Sequence, residues 1–120
     1  MQRTTLKKLK KRQDFLRVAK IGKKVVKPAF ILVAARNFLS EENQTSRIGY
    51  TATKKIGNAV IRNRSKRRLR AIVRERLVSQ AHPNIDYNLI ARFSTQDYDY
   101  DKLIADFDDA IVEIHKQLDK

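Results

Sequence analysis

Residues 47–75 read RIGYTATKKIGNAVIRNRSKRRLRAIVRE, and the pattern changes once, near Gly57. Before that point, Arg47-Ile-Gly-Tyr-Thr-Ala-Thr53 reads as a strand, with Gly49 allowing another part of the chain to approach its backbone closely. After Gly57-Asn58 the pattern turns helical from about Ala59 to Val78. On a wheel at about 100° per residue, Ser65, Leu69, Ile72 and Val73 cluster on one side and face a core. Asn63, Arg67, Arg70 and Arg74 fall on the far side. Arg62 and Lys66 lie along one border, and Arg64 and Arg68 along the other. A strand feeding a helix that is apolar on one face and basic on the other predicts a layered domain with a charged working surface.

The charge on that helix needs a partner. Arg62, Lys66, Arg70 and Arg74 stack three like-charge pairs at i,i+4, each costing an isolated helix a few tenths of a kcal/mol. No acid lies among them to relieve the repulsion. Lys66 is the only lysine between Arg62 and Arg74. The arginine guanidinium is a planar fork suited to phosphate oxygens, and it also stacks on bases. Lys54-Lys55 and the amides near Gly57 lie just ahead of the helix N-terminus, a natural anion site. The plainer alternative is a solvated basic face without a partner; the density and one-sidedness of the charge argue against it.

Working outward, the same signs recur. The chain has 120 residues, the size of one domain. It carries 27 Lys and Arg against 13 Asp and Glu, a formal net charge of +14. That excess points to a polyanion, either nucleic acid or an anionic membrane. No apolar run approaches the roughly 20 residues of a membrane span, and the opening residues lack the apolar stretch of a signal peptide. With no cysteine, disulfides and thiolate metal sites are excluded, and a cytoplasmic location is expected. Residues 1–27 hold eleven basic groups and one acid, and residues 54–76 hold ten and one. From Asp97 onward the balance reverses, with eight acids against three lysines. A basic working surface and an acidic back are therefore expected.

The remaining elements follow from periodicity. Residues 1–11 are expected to form a basic flexible arm, and residues 12–120 a single domain. Arg12–Ile21 reads as a helix from Phe15, Leu16, Val18 and Ala19, with Gly22 placed to end it. Ala29-Phe-Ile-Leu-Val-Ala-Ala35 reads as a buried strand and Ser40–Ser46 as a polar turn. This strand and the one at 47–53 suit a β-hairpin, extended by a short strand near Val25-Val26. A loop at 81–86 holds Pro83, which blocks helix continuation. Tyr87–Phe93 is a further strand. Leu103, Phe107, Ile111, Ile114 and Leu118 mark a final amphipathic helix, with Asp97, Asp99 and Asp101 at its start. The order α-β-β-β-α-β-α makes an α+β domain, a sheet with helices packed on it.

At this point the residues resemble a known family. Lys54-Lys-Ile-Gly-Asn-Ala-Val-Ile-Arg-Asn-Arg-Ser-Lys-Arg-Arg-Leu-Arg70 is similar to the signature of the bacterial ribonuclease P protein, including its Arg-Asn-Arg helix. The likeness extends to Arg47-Ile-Gly49, to Asp14-Phe15 and, by spacing, to nearly the whole chain. It implies a subunit of an endoribonuclease ribonucleoprotein that removes the 5′ leader of precursor tRNA. Arg62, Asn63, Arg64, Lys66, Arg67 and Arg70 would dock on the catalytic RNA, with Lys54, Lys55, Gly57 and Asn58 in the loop leading there. Arg68 and Arg74 join this set on charge. A cleft between the first helix and the sheet would hold the single-stranded leader, with Phe15, Phe30, Ile31, Thr51 and Thr53 in or near it. Ala19 and Val33 stand where many relatives place aromatic residues. The resemblance also implies a left-handed crossover between parallel strands, against the general rule, and a monomer bound one-to-one to the RNA. Hydrolysis would belong to the RNA and its Mg2+, with no catalytic residue and no metal site on the protein.

Other chemistry finds less support. His82, beside Pro83, and His115, near Glu113, read as ordinary surface or semi-exposed histidines. Asp97-Tyr-Asp-Tyr-Asp101 places three carboxylates at alternate positions, but helix capping accounts for them. No nucleophile–base motif, Walker loop or zinc spacing is present. A general RNA-binding protein would share the charge without distinguishing precursor from mature tRNA. A DNA-binding helix would read base edges, whereas this helix is dominated by phosphate-type contacts.

Overall fold

The strand Ile85–Ala91 (β5) buries six of its seven residues, and the rest of the fold is arranged to cover it. The computed structural model describes residues 5–38 and 45–119. Within them the chain runs as strand β1 (Thr5–Lys8), helix α1 (Arg12–Ile21), and strands β2 (Lys23–Lys27), β3 (Phe30–Arg36) and β4 (Thr45–Thr51). Helix α2 (Ala59–Ile72) follows, continues through a π-helical turn at Val73–Leu77 and closes in the short α3 (Val78–Gln80). Then come β5 and the long helix α4 (Tyr100–Leu118). The α+β domain expected from the pattern is the one observed.

The five strands form one mixed sheet in the order β1-β4-β5-β3-β2. The expected hairpin between the second and third strand runs is corrected by this order. β3 pairs antiparallel with β5, and β4 pairs parallel with β5, so β5 lies between the two. The physical reason is burial: a strand with apolar residues on both faces is satisfied only at the centre of a covered sheet. The hairpin that does form joins β2 to β3, in register Lys27↔Phe30 and Val25↔Leu32. α2 provides the crossover between parallel neighbours β4 and β5.

A second correction concerns the arm. Thr5–Lys8 pairs parallel with β4, in register Leu6↔Ser46 and Lys8↔Ile48, and the Leu9 amide donates to the Ile48 carbonyl at 2.9 Å. Leu6 of this basic strand packs against the main core, and Leu9, just after it, belongs to a smaller one. Residues 1–4 and most of the expected turn at 40–46 lie outside the described residues.

Alternation along the strands separates two cores. Phe30, Leu32, Tyr87 and Leu89 face α2 and α4, where they meet Leu69, Ile72, Phe107 and Ile111. Val33, Ala35 and Leu9 face α1 and meet Val18, with Phe15, Ile31 and Ile90 half-buried around them. Gly22 ends α1 as expected, with extended backbone (φ −73°, ψ 160°). Its need for glycine is spatial, since a Cβ there would stand 2.9 Å from the Ala34 carbonyl oxygen. At the start of α4, the Asp99 carboxylate accepts from the Asp101 amide at 3.2 Å, the capping role expected of that acidic stretch. Among the described residues, no helix is long and apolar enough to cross a membrane.

Candidate RNA interface

The α2 face begins with a designed entry. Lys54–Ile56 make a single 3-10 turn, and Gly57 follows at φ +145°, a conformation that favours glycine. Asn58 then caps the helix, its side-chain oxygen accepting from the Ile61 amide at 3.0 Å. Asn58, expected among the RNA contacts, therefore has a structural duty as well. Lys54 and Lys55 stand exposed on the turn ahead of it.

Beyond the cap the wheel reading holds. Ser65, Leu69, Ile72 and Val73 are buried, while Asn63, Arg64, Arg67, Arg70 and Arg74 are exposed. Val60, Asn63, Arg64, Arg67 and Arg70 line a hollow of about 390 Å³. Among the described residues, none of these arginines lies in an ion pair with a carboxylate. Arg70 instead sits over the Tyr50 ring, 5.5 Å from its centroid. Burial holds the Tyr50 phenol above its usual range, while Arg70 and Arg74 pull it the other way.

Arg68 is placed differently. Its guanidinium donates to the carbonyls of Thr95 at 3.0 Å and Tyr98 at 2.5 Å, and it lies 5.7 Å from the centre of the Tyr100 ring. Its charge is spent tying α2 to the segment before α4. Arg62 and Lys66 are half-buried along their border.

Across the sheet, the α1 face forms the second part of the site. The Phe15 ring lies on Gly49, where a Cβ would come within 2.5 Å of Cε1 and Cζ. Gly49 thus permits the close approach anticipated for it, with a side chain as the neighbour. Ile31, like Phe15, packs against the smaller core, and the Thr51 hydroxyl donates to the Asn88 side-chain oxygen at 3.1 Å. Thr53 is exposed where the chain leaves β4 for α2. Phe30 is corrected: it is fully buried on the opposite face, its ring 6.1 Å from Phe107. Its neighbour Ile31 faces α1, so the pleat turns Phe30 away from the cleft. Val33 is buried beneath α1, whereas Ala19 is exposed. Lys66 joins the two parts, lining a smaller hollow of about 180 Å³ with Phe15, Gly49, Tyr50 and Arg70.

What the sequence reading missed is the anchor of α1. Asp86 is fully buried in β5. Arg47 grips it with two bonds, Nε at 2.8 Å and Nη2 at 2.6 Å, and Arg17 of α1 pairs with the same carboxylate through Oδ2. Asn37 donates to it at 3.1 Å, and Arg47 also reaches Asp14 of α1 at 3.2 Å. The hydrogen bond with Asp86, above all, raises the Arg47 pKa. A lone acid between Ile85 and Tyr87 was the available signal. His115 was also misjudged: it is buried, stacked on the exposed His82 at 3.5 Å between ring centres, with Nε2 2.7 Å from the Tyr87 hydroxyl.

Comparison with known proteins agrees with this geometry. A family model described as Ribonuclease P matches residues 4–115. The ribonuclease P protein component of Gluconacetobacter diazotrophicus is 43% identical over 101 residues, covering 82% of this chain and 83% of that protein. That of Caulobacter vibrioides is 42% identical over 113 residues, covering 94% and 74%. The solved RNase P protein of Staphylococcus aureus superposes with a TM-score of 0.69 at 29% identity, covering 92% of this chain and 96% of that one. The Thermotoga maritima protein gives 0.69 at 25%, covering 86% and 93%. With the family model, the relatives and the solved structures in agreement, the chain belongs to the ribonuclease P protein family, and its role is that of the protein subunit in tRNA 5′ processing.

Proposed function

We propose that the outward face of α2 docks on the ribonuclease P RNA while the α1 cleft receives the 5′ leader of precursor tRNA. The observation that carries this reading is the run Arg64, Arg67, Arg70 and Arg74 on one helix face, none ion-paired with a carboxylate among the described residues. Cations left without carboxylate partners are neutralised best by phosphates, whose counterions are released on binding. Lys54 and Lys55 extend the charge to the helix N-terminus, where the dipole favours an anion. Arg62, Asn63 and Lys66 complete the face at its border.

In the cleft, Phe15 offers an aromatic ring for stacking, with Ile31, Thr51 and Thr53 in or near the same cleft. A stacked base at a single-stranded site is worth about 1–3 kcal/mol and tolerates any sequence. Such a contact favours substrates that still carry a leader and has no counterpart in mature tRNA. Hydrolysis of the phosphodiester belongs to the RNA, which works with Mg2+. The protein lowers electrostatic repulsion between catalytic RNA and substrate and holds the leader in line. A cytoplasmic monomer in a one-to-one complex is the form we assign to it.

The test is cleavage of a 5′-extended precursor tRNA at low Mg2+ by protein alone, ribonuclease P RNA alone, and both together. Strong cleavage only in the mixture supports the subunit role with catalysis on the RNA. Cleavage by the protein alone overturns it.

A further inference from the structure

A cavity of about 630 Å³ opens between β1 and the C-terminal half of α2, adjoining both the arginine hollow and the smaller Phe15 hollow. Its size falls within the range of about 300–1,000 Å³ typical of small-molecule sites. Leu6, Ile48, Tyr50 and Val73 form an apolar floor. Lys7, Lys8, Lys10, Arg70 and Arg74 supply five cations around it. None of the five has an ion-paired carboxylate among the described residues. The Arg70 guanidinium is steadied against the Tyr50 ring, so its position is set before any ligand arrives. β1 is the outermost strand of the sheet.

An apolar floor under a ring of cations is the complement of one nucleotide turned out of its stack: a flat, weakly polar base and a phosphate. We propose that this cavity receives an unpaired nucleotide of the ribonuclease P RNA, its base on the Leu6–Val73 floor and its phosphate among the lysines and arginines. The assignment to that RNA, not to the precursor leader, rests on Arg70 and Arg74, two of the α2 cations read above as docking on it, although the cavity also shares Lys8, Lys10, Ile48, Tyr50 and Arg70 with the Phe15 hollow. Arg70 belongs both to this cavity and to the hollow with Arg64 and Arg67, so one strand lying along α2 passes from one to the other. The inference rests on the docking reading given above and adds to it a defined base pocket.

Leu6→Trp fills the floor and keeps all five cations; Tyr50→Leu removes the ring and its hold on Arg70; Val112→Trp, on exposed α4 surface, controls for an added indole. Each protein is checked for its native circular dichroism spectrum and titrated onto ribonuclease P RNA alone. Leu6→Trp is expected to weaken binding about tenfold without changing the dependence on salt, while Val112→Trp binds as the parent. Base-specific chemical probing is expected to show a small set of unpaired bases protected by the parent and re-exposed by Leu6→Trp, with the rest of the footprint intact. Should Leu6→Trp disturb β1, Tyr50→Leu carries the same readouts. Unchanged affinity and an unchanged protection pattern in the folded variants overturn the pocket. A loss confined to leader-bearing precursor, with RNA affinity intact, overturns the choice of ligand. If the parent protein itself fails to bind ribonuclease P RNA, the docking reading fails first, and that result is distinct from either.

Discussion

The Phe15 ring rests on the backbone of Gly49, so close that a methyl group at position 49 would stand 2.5 Å from two of its carbons. Helix α1 supplies the ring and strand β4 supplies the bare backbone, and the contact sets how far the ring projects into the cleft. Phe15→Ala is expected to reduce the preference of the holoenzyme for precursor over mature tRNA by about 1–3 kcal/mol. Gly49→Ala is expected to push the ring aside, with a stability loss of about 1–3 kcal/mol from overpacking. Precursor and mature tRNA affinities, together with urea melts, check both. An equal loss for the two tRNAs would argue against a leader cleft.

Neighbouring arginines on α2 should behave oppositely. Arg67 is exposed and, among the described residues, without a carboxylate partner, so Arg67→Ala is expected to leave the melting temperature unchanged. It should weaken ribonuclease P RNA binding and reduce the slope of log affinity against log salt by about one. Arg68→Ala removes the donor to the Thr95 and Tyr98 carbonyls. That variant is expected to lose about 1–3 kcal/mol of stability, with the smaller effect on the salt slope. Salt titrations and thermal melts of the two proteins separate the roles.

These two positions show where the sequence was legible and where it was not. Periodicity on α2 separated buried Ser65 and Leu69 from exposed Arg67 and Arg70, because a helix face is set by spacing alone. It set Arg68 on a border and Arg67 on the far face, but it could not show that Arg68 is engaged, because what occupies it is a segment almost thirty residues away that no local pattern reveals. The same limit explains the misplaced hairpin: adjacent strands usually pair, and only the burial of β5 on both faces demands that it lie between β3 and β4. Phe30 and Ile31 were assigned together to the cleft although a strand must send them to opposite faces. The β1 strand escaped notice because its four residues hold a single apolar side chain, Leu6.

Asp86 holds α1 on the sheet through Arg17 and Arg47, and its carboxylate is fully buried. Asp86→Asn leaves the partly buried Arg17 without its anion and Arg47 with Asp14 alone. Breaking a buried pair from one side costs about 3–5 kcal/mol, and urea unfolding is expected to show a loss of that order. Because α1 carries Phe15, the leader preference of the folded fraction should fall as well. Stability equal to that of the parent would mean that the network contributes nothing net.

His115 gives the protein an acid-side limit. Burial, and secondarily the stacked His82, lower its pKa from 6.5 to about 4, with Asp119 pulling weakly the other way. In the unfolded chain the imidazole takes up a proton near pH 6.5, whereas in the folded state it stays neutral until about pH 4. The unfolded state therefore binds more protons through that window, and stability falls as the pH is lowered across it. The slope from this one group approaches about 1.4 kcal/mol per pH unit between the two values and vanishes outside them. His115→Gln removes the titration, although it also disturbs the bond to Tyr87 and lowers stability at every pH. The useful quantity is thus the difference between parent and variant, measured by urea unfolding at pH 7.5, 6, 5 and 4.5. That difference is expected to shrink steadily below pH 6.5, because the parent alone bears the cost of keeping His115 neutral. A difference that stays constant with pH would mean that the buried imidazole accepts a proton as readily as it does in water.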